Sequence, residues 1–348
     1  MLWSIDEWKP TLGMMAFTII YAVMTGFVKK AMDEGMSELV IITLRQLIAS
    51  IFLSPIAFLK ERKQRPKLTM EISIYIFLSA ILGATLPQYL FFLGMKYTTA
   101  TFASTFSNLN PVITFLVALL LRMESVNIKS KPGLAKVIGA LLSLIGAMVL
   151  TLYKGVPLTH KTTHPTSPLH TTKMGPNSCT NKWIFGSIAL LANAFSFSFW
   201  ILLQSKVTKK YPVVYSGTAL MSFLSFLQVA GLSVAVERST SVWLPKDKLQ
   251  IMTVIYAGVA SSGIGFVLMT WVVQKRGPVF TSSFLPLIQV FVALIDFAVL
   301  HEPLFFGSVL GSILLIIGLY VLLWGKRKEA SISSVKLPEI NQQQQENE

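Results

Sequence analysis

The sequence predicts an all-α integral membrane protein whose ten transmembrane helices form two inverted five-helix repeats, and three observations predict it. Ten apolar runs reach about 20 residues, the length that crosses a bilayer. They fall at 11–28, 37–59, 72–93, 99–121, 133–153, 183–205, 213–236, 249–273, 279–300 and 304–324. The stretch 102–124 returns at 280–302, a constant offset of 178 positions (280 − 102), with Phe102/Phe280, Ser104/Ser282, Leu109/Leu287 and Glu124/Glu302 identical. After each copy Gly139 meets Gly311 and Gly146 meets Gly318. Five helices per half is an odd number, so the second half enters from the opposite side and the repeat is inverted. Finally, 19 Lys and Arg fall in loops on the side of the amino terminus against 10 on the other, with Arg45 inside a span. That bias places both termini in the cytosol.

Composition agrees with lipid as the solvent. Hydrophobic residues make up 53% of the chain, charged residues 13%, and the mean hydropathy is +0.62, outside the range of a soluble domain of this size. No stretch left between the runs is long enough for a globular domain, so function sits in the helices or the short loops. The net charge of +14 raises nucleic acid as a partner, but its one-sided placement accounts for it and argues against that role. Trp8, Trp183, Trp243 and Trp324 fall at span edges as interfacial anchors. The lone Cys179 excludes an intramolecular disulfide. The first run continues into Lys29 and Lys30 without a small-residue cleavage site, which marks a retained span. The chain thus divides into a first repeat at 1–153, a central extracytosolic loop at 154–182, a second repeat at 183–325 and a disordered cytosolic tail at 326–348.

Taken in order, the second span is apolar except for Arg45 and Gln46. Arg45 lies about 12 Å below Ser37 at about 1.5 Å per residue, too deep for its side chain to snorkel easily. A centred Arg costs about 2.5–3.5 kcal/mol on insertion, so it needs a partner or a wet cavity. The functional reading is a contact for a substrate carboxylate, and the plainer one is a structural pair to another span. The third span carries Pro87 and Gln88; proline frees a backbone carbonyl and bends the helix, while Gln88 is a candidate cavity residue. In the fourth, Ser107-Asn-Leu-Asn-Pro111 sets Asn108 and Asn110 some 160° apart (two residues at about 100° each). In an unbroken helix they cannot share a groove. Either one serves interhelical packing, or Pro111 distorts the helix and both reach the cavity. In the second copy Pro286 aligns with Asn108 and Gln289 with Pro111, so both halves carry a mid-membrane proline with an amide.

The remaining segments are quieter. His160, His164 and His170 lie in the central loop, a solvated linker without a third fixed metal ligand. Asn193, Ser196, Ser198 and Gln204 in the sixth span, and Gly258, Ser261, Ser262, Gly263 and Gly265 in the eighth, read as packing residues. Trp271 and Gln274 close the eighth span as a lid or an interfacial belt. Asp296 is the carboxylate inside a span and a weak candidate for proton coupling; Glu124 and Glu302 fix helix ends or gate. Gly307-x-x-x-Gly311, with Ala135-x-x-x-Gly139 as its counterpart, supports close helix contact, within the chain or in a homodimer.

The phrases Ser107-Asn-Leu-Asn-Pro-Val112, Arg122-Met-Glu124, Leu152-Tyr-Lys-Gly155, Trp271 with Gln274, and Gly318-Leu-Tyr-Val-Leu-Leu-Trp-Gly-Lys326 resemble one group along nearly the whole chain. They resemble the plant nodulin-like, walls-are-thin-related transporters, also called UMAMIT proteins, in the EamA branch of the drug/metabolite transporter superfamily. The resemblance implies two EamA repeats, bidirectional facilitation of amino acids, with auxin or related solutes in some members, and a plasma or vacuolar membrane in a plant. His301 stands where many EamA proteins have glycine.

These readings converge on a carrier of small organic solutes, amino acids first, with auxin or another metabolite as the alternative substrate. A scaffold or sensor without flux is the alternative of another class. Arg45 would meet the carboxylate; Gln88, Asn108, Asn110 and Gln289 would hydrogen-bond polar groups; Pro87, Pro111 and Pro286 would open the backbone, with Trp271 and Gln274 at the gate. No cofactor, metal or nucleic acid is expected. Without a Gly-x-x-x-x-Gly-Lys motif, ATP-driven pumping is not expected, and without a nucleophile–base pair neither is enzymatic chemistry.

Overall fold

The computed structural model describes residues 5–98, 100–124, 130–153, 156, 176–236, 243, 245, 247–299 and 305–345. Ten helices among them are long and apolar enough to cross a membrane. They are α1 (Trp8–Asp33), α2 (Glu38–Glu61), α3 (Met70–Tyr97), α4 (Phe102–Leu120), α5 (Lys131–Leu152), α6 (Lys182–Lys210), α7 (Val214–Ala235), α8 (Lys248–Arg276), α9 (Pro278–Ile295) and α10 (Phe306–Glu329). Each coincides with one of the ten apolar runs. His160, His164, His170, His301 and Glu302 lie outside the described residues, as does the side chain of Asp296.

Two helices run further than the sequence suggests. The backbone of α10 stays helical to Gln345, over residues assigned to a disordered tail. Past Gly325 that stretch has no further glycine and carries Lys, Glu and Gln, good helix formers, and the helix continues through Pro338. The helix of α6 begins at Pro176, inside the segment assigned to the central loop, because proline at a first helical position lacks only an N–H that would be unpaired anyway.

The proline and glycine positions shape the helix interiors. α3 widens into a π-helix over Ala80–Thr85, where Pro87 withholds the N–H that the Gly83 carbonyl would accept. α8 does the same over Ala257–Gly265, where three glycines and two serines take the place of the proline. The repeat offset carries Ala80 to Gly258, so the wide turns occupy equivalent positions in the two halves. Likewise α4 is split into Ala100–Ser107 and Asn110–Leu120, and α9 into Pro278–Ser283 and Leu287–Val299. Pro111 opens the second piece of α4 and Pro286 ends the turn in α9.

Packing crosses between the repeats. α3, α4 and α6 form one bundle, and α1, α8 and α9 form its counterpart; each takes two helices from one repeat and one from the other. α2 and α7 pack on each other antiparallel, Thr43 meeting Ser233 at one end and Glu61 meeting Tyr215 at the other, with α2 also against α8 and α7 against α3. At one end of this pair the Glu61 carboxylate accepts from the backbone N–H groups of Tyr215 at 3.0 Å and Ser216 at 2.7 Å, neutralising the start of α7. Burial there raises the Tyr211 phenol above its ordinary pKa, so it stays neutral.

α5 and α10 form the most extensive helix pair. Adding a Cβ at Gly139 would strike the backbone of Leu322, and one at Gly318 the backbone of Ser143; Gly146 and Gly311 are as tight. The small-residue pattern is therefore used inside the chain. At the amino-terminal face Lys136, 1% exposed, pairs with Glu329 and with Glu124 at 3.2 Å, while Lys326 reaches the other Glu124 oxygen at 3.2 Å. Leu141, Ile145, Ile313 and Ile317 point outward from this pair, as lipid-facing side chains do.

Candidate functional site

Three groups of buried polar side chains lie among the packed helices. The first is Arg45. Its helix is turned so that Gly258, which has no side chain, lets α8 approach the Arg45 carbonyl and Ile48. Arg45 is 4% exposed. Its Nε donates to Ser262 Oγ at 2.8 Å and its Nη1 lies 4.0 Å from Met24 Sδ; Tyr21 stands beside it. Nη2 is buried without a partner, and among the described residues no carboxylate is paired with Arg45. Next to it both amide atoms of Gln46 are buried and unpartnered. α7, the counterpart of α2 in the second repeat, carries no Lys or Arg, so this cation is present in one half alone.

The second place lies around Met221 and Trp200. Trp200 Nε1 donates to Ser79 Oγ at 2.9 Å, Ser79 Oγ donates to Gln204 Oε1 at 3.0 Å, and Gln204 Nε2 donates to Thr270 Oγ1 at 3.0 Å. Ser79 Oγ is also 3.3 Å from Met221 Sδ. The wide turn of α3 makes room for the indole, since a Cβ at Gly83 would collide with it. Nearby, Thr85 at the end of that turn meets Ser225 at 3.0 Å and Gln228 Oε1 at 2.8 Å. Gln88 Oε1, one turn on, is buried with no partner.

The third place is a narrow crevice where the broken helices meet, lined by Asn108, Pro111, Ser143, Ser283, Pro286 and Leu322 among others. Here the two amides of α4 part company. Asn108 Nδ2 donates to Thr151 Oγ1 of α5 at 3.1 Å, an interhelical packing bond. Asn110 is buried on the other side, its carbonyl accepting from Ser198 of α6 at 3.2 Å and its Oδ1 unpartnered. Gln289 is half-buried one turn past the break of α9, its N–H bonded to the Pro286 carbonyl at 3.1 Å. The structure thus brings Asn108, Pro111 and Pro286 together, while Arg45, Pro87 and Gln88 stand on other helices. Trp271 packs on Gly13 of α1, and the exposed Gln274 donates to the Pro212 carbonyl at 3.4 Å.

Gln204, Ser79, Trp200, Thr270 and Gln46 were not singled out as site residues from the sequence. Trp200 carried the available signal, because it lies mid-span and away from the edges where tryptophan anchors. No group of His, Cys, Asp and Glu fit for a metal ion occurs among the described residues.

Ten helices in two inverted repeats, with unpaired polar groups buried at mid-membrane and helices broken there, define a membrane transporter. The chain belongs to the EamA-like transporter family, which it matches over residues 8–152 and 184–324. It is 44% identical over 330 residues to the WAT1-related protein At3g30340 of Arabidopsis thaliana, covering 94% of this chain and 90% of that one. It is also 44% identical to the WAT1-related protein At4g01440 of the same plant, over 92% and 87% of the two chains. One solved crystal structure shares the fold with a TM-score of 0.66 at 16% identity, covering 92% of this chain and 97% of its own. The protein is an EamA-family, WAT1-related multi-pass membrane transporter.

Proposed function

We propose that this transporter is a bidirectional facilitator of small carboxylate-bearing solutes, amino acids first, working by alternating access. The observation that carries the reading is the free Nη2 of Arg45, buried with no paired carboxylate among the described residues. A buried cation without a counter-charge is costly, and a solute carboxylate arriving at Nη2 would relieve that cost with a charge-assisted hydrogen bond. Gln88 and Asn110, each with an unpartnered buried oxygen, offer acceptors for a solute ammonium. Gln289 is a further amide near the break in α9. Asn108 acts on packing in this reading, and Pro87, Pro111 and Pro286 hold the backbone open. Both termini face the cytosol by the distribution of Lys and Arg, and the plasma membrane is the proposed location.

Radiolabelled uptake and efflux of an amino-acid panel plus auxin, in oocytes expressing the chain and its Arg45→Gln form, tests this. Two-way amino-acid flux that vanishes in the variant while the protein stays at the surface is the expected result. Undiminished flux in the variant removes Arg45 from the site, and flux of auxin alone replaces the substrate.

A further inference from the structure

Several side-chain hydrogen bonds stay within a bundle, while at the amino-terminal face Gln274 of α8 also reaches the Pro212 carbonyl just past α6 at 3.4 Å. Within the α3–α4–α6 bundle, Ser196 donates to the Leu82 carbonyl at 3.1 Å, Ser198 to Asn110 and Trp200 to Ser79. Within the α1–α8–α9 bundle, Tyr256 donates to the Ile20 carbonyl at 3.3 Å and Thr253 to that of Phe27 at 3.4 Å. α2 is tied to the second bundle through Arg45 and Ser262, and α7 to the first through Ser225 and Thr85, while the two are tied to each other through Thr43 and Ser233 at 3.0 Å and through Glu61. The bond from Gln204 to Thr270 is of another kind, since it runs directly from α6 in one bundle to α8 in the other.

Its depth gives it a direction. Gln204 is six residues from the end of α6 and Thr270 six from the end of α8, which sets both about 9 Å below the amino-terminal face. Arg45 is seven residues from the opposite face. One turn deeper than the bond, Trp200 and Phe266 pack across the same seam with ring centroids 5.7 Å apart. On the mouth side, Thr208 continues the Gln204 face and is buried. An amide–hydroxyl layer over an aromatic layer therefore separates the Arg45 region from the amino-terminal face.

We propose that the Gln204–Thr270 hydrogen bond is the latch that holds the transport path shut on the amino-terminal side, and that it breaks each time the path opens there. This rests on the alternating-access reading. Gln204 is fitted to the task because Ser79 fixes its oxygen, which leaves the NH2 aimed at the other bundle. A neutral pair costs little to part in a site that wets on opening, unlike a buried ion pair.

The test is chemical accessibility. In a Cys179→Ser background, Thr208→Cys is exposed to a membrane-impermeant maleimide from the amino-terminal face, with Thr270 intact, Thr270→Val or Thr270→Ser. Losing one net hydrogen bond should raise labelling about five-fold in Thr270→Val, and Thr270→Ser, which keeps the acceptor, should label at the parental rate. Equal rates in all three, or Thr270→Ser following Thr270→Val, overturns the latch. Gln204→Met, of similar volume, must behave as Thr270→Val does, and parental labelling in it has the same adverse meaning. Labelling needs no solute, so a shifted rate in a protein without flux keeps the latch while the substrate reading falls.

Discussion

Arg45 on α2 donates through Nε to Ser262 on the wide turn of α8 at 2.8 Å, and keeps Nη2 free. The hydroxyl fixes the plane of the guanidinium and so aims the free nitrogen. Ser262→Ala should leave the protein folded and raise the solute KM about five-fold, the worth of one hydrogen bond, with little change in maximal flux. Arg45→Lys should fail to restore transport, because an ammonium cannot bond Ser262 and a carboxylate in the same fork. Initial-rate kinetics in oocytes check both.

Asn108 and Asn110 should separate in function. Asn108→Ala removes a bond to Thr151 and should cost about 1 kcal/mol of stability with flux retained. Thr151→Val should cost a similar amount, and the double variant less than the two added. Asn110→Ala should lower flux without that loss of stability. Thermal unfolding in detergent beside uptake distinguishes the two amides.

The charged cluster at the end of α5 and α10 is structural. Glu124→Gln strips one carboxylate from Lys136 and from Lys326, and breaking a buried ion network of this kind costs about 3–5 kcal/mol. The midpoint of thermal unfolding should fall accordingly, and partial compensation by Glu329 sets the lower end of that range.

Gly139→Val or Gly318→Val should prevent accumulation of folded protein, since the added carbons meet backbone rather than a side chain that can turn away. Gly26→Ala, where nothing lies within 4 Å, should be tolerated. Size-exclusion profiles of tagged protein give the comparison.

How far the sequence reached differs between backbone and site. The ten spans and the inverted repeat were legible because apolar run length and a fixed offset are local properties. Pro87, Pro111 and Pro286 marked real departures from the α-helix for the same reason, although the wide turn of α8 rested on glycines that read as packing. Which side of α4 each Asn faces was left open by helical spacing, and the break at Asn108 and Leu109 is what decides it. Gln204 was seen and set aside, because its meaning depends on Ser79 and Thr270, 125 and 66 positions away. Such partners are brought together by packing between repeats, which no window along the chain reports.

The exchange of helices between repeats also bears on how the protein is made. α1 has its partners in α8 and α9, and α5 has its main partner in α10. During synthesis the first five helices therefore wait in the bilayer with glycine seams and Arg45 uncovered, and only insertion of the final helix supplies α5 with its seam. A chain halted in the central loop would leave an unassembled half exposed to quality control. The same half supplied alongside its separately expressed complement has every partner it needs, so two polypeptides divided in that loop should assemble where neither does alone.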